Sequence, residues 1–181
     1  MMTINTAEIL NAEHVVLVDE HNKELGIMGK LEAHEKGLLH RAFSVFVFNH
    51  EGKLLLQQRA LSKYHSGGLW TNTCCSHPKA NEAVLAAAHR RLQEEMGFDC
   101  ELEEKFHFIY KAGFENGLTE HELDFVFVGT YNQEPHFNTD EVEQVKWLTL
   151  TEVEEQLKQH PEQFTAWFKI VFDEYVHHLT A

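Results

Sequence analysis

The stretch AFSVFVFNHEGKLLLQQRA, Ala42 to Ala60, limits the fold more than any other part of the chain. From Ala42 to Phe48 every residue except Ser44 is apolar, at odd and even positions alike. As a strand it therefore has no face to give to water and belongs inside a sheet covered on both sides. Asn49 to Gly52 supplies turn formers before a second apolar run, so the segment predicts a hairpin whose first strand is central. A covered sheet needs helices. NEAVLAAAHRRLQEEMG, Asn81 to Gly97, provides one, with Leu85, Ala88, Leu92 and Met96 at helical spacing, Asn81 as N-cap and Gly97 as C-terminal stop.

The rest of the chain fits the same plan. EHVVLVDE, Glu13 to Glu20, reads as a strand followed by a polar turn through Asn22 and Gly26. EKFHFIYKAGF and EHELDFVFVGTY read as strands around a loop at Gly117, and VEQVKWLTL as another. From Thr151 to His178 the pattern is two helices separated near Pro161, with Trp167, Ile170, Val171 and Tyr175 on an apolar stripe. No repeat, low-complexity segment or linker interrupts it. The expectation is a single α/β (α+β) domain over residues 1–181, a mixed β-sheet layered between helices, with an N-terminal extension over about residues 1–12. A chain of 181 residues is long enough to bury about two-thirds of its unfolded surface.

A formal net charge of −14 repels polyanions, which argues against nucleic acid and anionic membrane surfaces as partners. A small phosphate-bearing ligand would need local cations or a metal. The opening MMTINTAEIL has no basic segment followed by a long apolar one, and no apolar run is long enough to span a bilayer, so a cytoplasmic location is expected. Cys74, Cys75 and Cys100 do not make a paired framework and are expected to be thiols.

Two groups of residues could carry chemistry. In the helix, Arg90/Glu94 and Arg91/Glu95 stand four apart and are neighbours on its surface. Taken alone, they read as a solvated face laced with ion pairs. The second group combines His34, His40 and His77 with Glu120 and Glu122, which are two apart and so share one face of a strand. Three imidazoles and two carboxylates suit a transition metal, whereas a carboxylate-rich diphosphate site suits magnesium.

Glu82, Arg90, Gln93, Glu94 and Glu95, followed by Met96-Gly97-Phe98, resemble the Nudix box, whose helix uses glutamates to hold a divalent cation against a diphosphate. Ser76 stands where that box has a leading glycine, and Arg91 where it has a further glutamate. Losing a carboxylate and gaining a cation disfavours metal-assisted hydrolysis and favours holding a diphosphate intact.

WTNTCCSHP, the altered helix, His34, His40 and EHELDF together resemble the type I isopentenyl-diphosphate isomerases, over about Lys30 to Trp167. The resemblance implies a Nudix-like fold and movement of a carbon–carbon double bond between isopentenyl and dimethylallyl diphosphate, by protonation and deprotonation through a carbocation. It implies Cys75 as catalytic thiol, Glu122 as its acid–base partner, and Tyr110 and Trp167 as active-site aromatics. It implies Lys30, Arg59, Lys63 and Arg91 as diphosphate-binding cations. His34, His40, His77, Glu120 and Glu122 would hold a divalent metal (Mn2+, Zn2+ or Fe2+), and Glu95 a Mg2+ on the diphosphate. Cys74 receives no role. A small allylic or homoallylic diphosphate is the expected partner, and a monomer or weak homodimer the expected state. The rival readings are a Nudix hydrolase of a nucleoside diphosphate derivative and a non-enzymatic metal-binding module.

Overall fold

The computed structural model describes residues 13–180, so the expected N-terminal extension lies outside the described residues. Among the described residues, nine strands form one mixed sheet. They are β1 (His14–Val18), β2 (Glu24–Gly29), β3 (His40–Phe48), β4 (Leu54–Arg59), β5 (Trp70–Thr71), β6 (Cys74–Ser76), β7 (Leu102–Gly113), β8 (Thr119–Thr130) and β9 (Val142–Leu148). The α-helices among the described residues are α1 (Lys30–Lys36), α2 (Val84–Met96), α3 (Leu150–Gln159) and α4 (Ala166–Leu179).

The expected central strand is β3. All nine of its residues are buried. It pairs in parallel with β8 along its whole length, and its other edge meets β1, β6 and β4 in turn. Its two faces feed different cores. Phe43, Val45 and Val47 pack with Ala88, Leu92 and Met96 of α2, while Phe46 and Phe48 pack with Phe168, Val171 and Phe172 of α4. Each such buried side chain contributes about 1.5–3 kcal/mol. Of the apolar stripe assigned to the last helix, Trp167 and Val171 are buried, and Ile170 and Tyr175 are partly buried against the same core.

Three local expectations are corrected. The polar turn at Asn22 is followed by strand β2, which contains Gly26 and pairs antiparallel with β1. Asn81 does not cap α2: it sits in a left-handed turn at φ 63°, and the N-cap is Ala83, which makes no side-chain hydrogen bond. Leu85 is 43% exposed, because the buried face of the helix runs through Ala87, Ala88, Leu92, Glu95 and Met96 instead. Gly97 does end α2, at φ 73°, and a Cβ there would lie 2.1 Å from the His136 carbonyl oxygen. At α3, Thr149 and Glu152 form a reciprocal capping box.

Candidate active site

Toward the N-terminal end of β3, the face that carries Phe46 and Phe48 turns from core to cleft, where Ser44 lines the wall and His40 lies buried behind Glu122. The cleft encloses about 700 Å³. Strand pairing fixes what surrounds it. Glu122 of β8 stands opposite His40 of β3 and Tyr110 of β7, and Cys75 of β6 stands opposite Ser44. Glu120 and Glu122 share one face, as their spacing requires, and both are buried.

Because neighbours on a strand point to opposite sides, the two adjacent thiols part company. Cys74 faces α2, where its Sγ donates to Glu95 Oε2 at 2.6 Å. Cys75 lines the cleft with Trp167, Tyr110 and Arg59. Neither is in a disulfide. Burial pushes the Cys75 thiol well up, against the pull of Arg59, so it keeps its proton at neutral pH. Burial likewise raises Cys74 and, against Arg91, Glu95.

The carboxylate pair is arranged symmetrically. The Tyr110 hydroxyl reaches Oε2 of both residues, Glu120 at very short range and Glu122 at 2.8 Å. Oε1 of each turns to imidazoles: Glu122 to His77 at 2.9 Å and His40 at 3.4 Å, and Glu120 to His65 at 2.8 Å and His34 at 3.8 Å. Burial, which favours the neutral acid, is outweighed by these imidazoles, and both carboxyls are held below the usual range. Burial takes His77 down to about 4.

These side chains fit a metal ion. His34 Nδ1 meets the Lys30 carbonyl at 2.7 Å and His40 Nδ1 the Leu38 carbonyl at 2.9 Å, so each ring donates there and keeps its Nε2 lone pair for the site. His40 Nε2 is buried without a hydrogen bond. The ring centres of His34 and His40 are 4.9 Å apart, and of His40 and His77 5.1 Å. His34, His40, His77 and Glu122 place one ligand atom each within 4.8 Å of the others.

The expected cations line the same cleft. Lys30 Nζ lies 3.2 Å from Glu13, and Lys63 Nζ 3.9 Å from Glu141. Arg91 is held by Glu94 at 2.6 Å and Glu141 at 2.7 Å, with Glu95 at 3.6 Å. Arg59 differs. It is buried, stacks 5.3 Å from the Trp167 ring, gives Nη2 to the His65 carbonyl, and pairs with no carboxylate among the described residues. Trp167 is fixed in turn by its indole N–H, which donates to Asn72 Oδ1 at 3.3 Å.

Residues 38–168 match the NUDIX domain family. Isopentenyl-diphosphate Delta-isomerase 2 of Photorhabdus laumondii is 52% identical over 161 residues, covering 89% of this chain and 91% of that protein. The isopentenyl-diphosphate Delta-isomerase of Pectobacterium atrosepticum is 53% identical over 158 residues, covering 87% and 88%. The chain belongs to the isopentenyl-diphosphate Delta-isomerase family. A crystal structure of a Deinococcus radiodurans protein superposes with a TM-score of 0.74 at 18% identity, covering 90% of this chain and 99% of that one, which shows the shared fold.

Set against that family, the cleft is lined by every residue the resemblance proposed except His34 and His40, which lie fully buried behind it against Glu120 and Glu122. His65, Tyr64 and Ser44 join the lining, with Asp124 behind Ser44. His65 and Tyr64 enter from the loop after β4; no local pattern in SKYHSGG marks them. Ser44 donates to Asp124 Oδ2 at 2.7 Å. Burial, with Glu122 next to it, holds the Asp124 carboxyl well above its usual range. The signal for Asp124 was present, since it continues the alternation of Glu120 and Glu122 on one face of β8. Among the described residues, no helix is long and apolar enough to cross a membrane.

Proposed function

We propose that this protein interconverts isopentenyl and dimethylallyl diphosphate, with Cys75 and Glu122 as the two proton carriers. The observation that carries the reading is that the proton carriers and an unpaired buried cation, Arg59, line one cleft. A buried charge without a partner is costly, so Arg59 calls for an anionic ligand. Lys30, Lys63 and Arg91 beside it supply the local positive charge that a chain of net charge −14 needs to hold a diphosphate.

The substrate has no carbonyl to polarise. Adding a proton to its terminal methylene carbon makes a tertiary carbocation, and removing one from the carbon on the diphosphate side completes the shift of the double bond. Cys75, a thiol, and Glu122, a carboxylate, form a donor and an acceptor on one face of the sheet. One turnover leaves a thiolate, stabilised by Arg59, and a carboxylic acid. The pair resets before the next turnover when Glu122 releases its proton to solvent, with the Tyr110 hydroxyl on its Oε2 placed to relay it, and the Cys75 thiolate takes one proton back from solvent. Trp167 offers its π face to the cation, which is worth about 2 kcal/mol when desolvated, and the Arg59 guanidinium over the same ring marks where a cation is tolerated.

When bound, a divalent ion (Mn2+, Zn2+ or Fe2+) at the His/Glu centre supplies charge that lowers the proton affinity of Glu122, and Mg2+ held by Glu95 supplies charge that neutralises the diphosphate. Buried Glu95, one oxygen on Cys74 and the other toward Arg91, suits an ion bound by one carboxylate and substrate phosphate oxygens.

Cys75→Ala and Glu122→Gln each remove one proton carrier and no cation that binds diphosphate. Each variant is expected to lose about 10²–10⁴ in turnover, with Cys75→Ala retaining near-normal substrate affinity. Turnover close to wild type in either variant would remove that residue from the mechanism.

A further inference from the structure

We propose that His65 is a fourth imidazole ligand of the metal centre, which then has six protein donors: His34, His40, His65 and His77 through Nε2, and one Oε1 each from Glu120 and Glu122. This rests on the metal-centre reading above and adds a residue to it.

His65 is 5% exposed. Its Nε2 lies 2.8 Å from Glu120 Oε1, yet off the line of a ring N–H, and makes no hydrogen bond. The unpartnered Nε2 of His40, 3.4 Å from Glu122 Oε1, is in the same condition. A buried imidazole nitrogen left without a partner is rare in a finished structure and calls for one. The far side of the ring completes the pattern. His65 Nδ1 meets Ser66 Oγ at 3.0 Å, a hydroxyl able to accept from it as the backbone carbonyls do from His34 and His40, and the tautomer protonated at Nδ1 leaves the Nε2 lone pair for the centre. Phe114 stacks on the ring at 4.8 Å and 11°, and Trp167 meets it edge-on at 5.9 Å, which fixes its orientation.

The ligand atoms fall into two overlapping groups, His34, His40, His77 and Glu122, and His34, His65 and Glu120. They do not describe two ions. His34 belongs to both, and with its Nδ1 held by Lys30 it has a single lone pair to give. The two groups are the halves of one centre, each with a glutamate Oε1 between two imidazoles and Oε2 on Tyr110. Six donors of this mixture exceed the four that zinc prefers and suit Mn2+ or Fe2+.

The test is Co2+ titration of the full-length, metal-stripped protein, read by visible absorption and by proton NMR in ordinary water. Wild type is expected to bind one equivalent with weak six-coordinate absorption and four hyperfine-shifted, exchangeable imidazole N–H signals. His65→Ala should show three such signals, stronger absorption and an affinity reduced at least about tenfold to a hundredfold, and added imidazole should restore the wild-type spectrum. His65→Gln serves the same reading should the smaller side chain unfold the loop. Three N–H signals in wild type, or a His65 variant with an unchanged spectrum, would overturn the role of His65 while leaving a metal centre in place. No Co2+ binding by wild type would overturn the centre itself.

Discussion

Glu82→Gln removes the charge from the clasp that begins α2. The helix has no side-chain cap at Ala83. Instead Glu82 accepts from Arg90 Nε and Nη2, both at 2.8 Å, and from the Lys79 backbone N–H at 2.9 Å. The Arg90 hydrogen bonds hold the Glu82 carboxyl down to about 2, against an ordinary 4.5. A carboxyl depressed in the folded state adds stability that is complete above its unfolded pKa and is lost as pH falls through its folded one. The window therefore runs from 4.5 down to about 2. At about 1.4 kcal/mol per unit, the shift corresponds to an upper bound of about 3 kcal/mol. The two side chains keep 18% and 25% of their exposure, and solvent screening brings the expected contribution to about 1.5 kcal/mol. For a domain of this size that lowers Tm by about 3–6 °C. Urea unfolding of both proteins across pH should give a gap of about 1.5 kcal/mol at pH 7, roughly half of it near pH 3.3, and little by about pH 2. A gap independent of pH, or one under about 0.3 kcal/mol at pH 7, would refute the clasp.

Gly97→Ala should destabilise by about 2 kcal/mol or more, because the new Cβ meets the His136 carbonyl oxygen at 2.1 Å and φ is 73°; thermal unfolding within 1 °C of wild type would contradict this. Arg91→Glu places a fourth carboxylate among Glu94, Glu95 and Glu141. It should raise KM for isopentenyl diphosphate about tenfold or more, and an unchanged KM would show that Arg91 serves its carboxylates alone.

What the sequence revealed was what has a period. The β3–β4 hairpin and α2 carry long apolar patterns, and the pairing of Glu120 with Glu122 follows from a repeat of two. The seven-residue helix α1 is too short for a period to show. It is ended by Gly37 at φ 62° and held by burial of Ala33 and His34 against the sheet. Asn81 has the right residue type for a cap, but Glu82 and Arg90 made the tighter fastening and left Asn81 to the turn. Cys74 received no role because its neighbour carried the motif; only the strand's alternation sends one thiol to α2 and the other to the cleft. His65 lies in a loop whose position depends on β4 and β5, and nothing local announces that it will meet Glu120 fifty-five residues on.

The most direct test of the central claim is to incubate the metal-replete protein with isopentenyl diphosphate in deuterated water and follow the products by NMR. A thiol and carboxylate that exchange protons with solvent between turnovers should yield dimethylallyl diphosphate carrying deuterium, with no free phosphate. Unchanged isopentenyl diphosphate, with phosphate released instead from a nucleoside diphosphate derivative, would contradict the account.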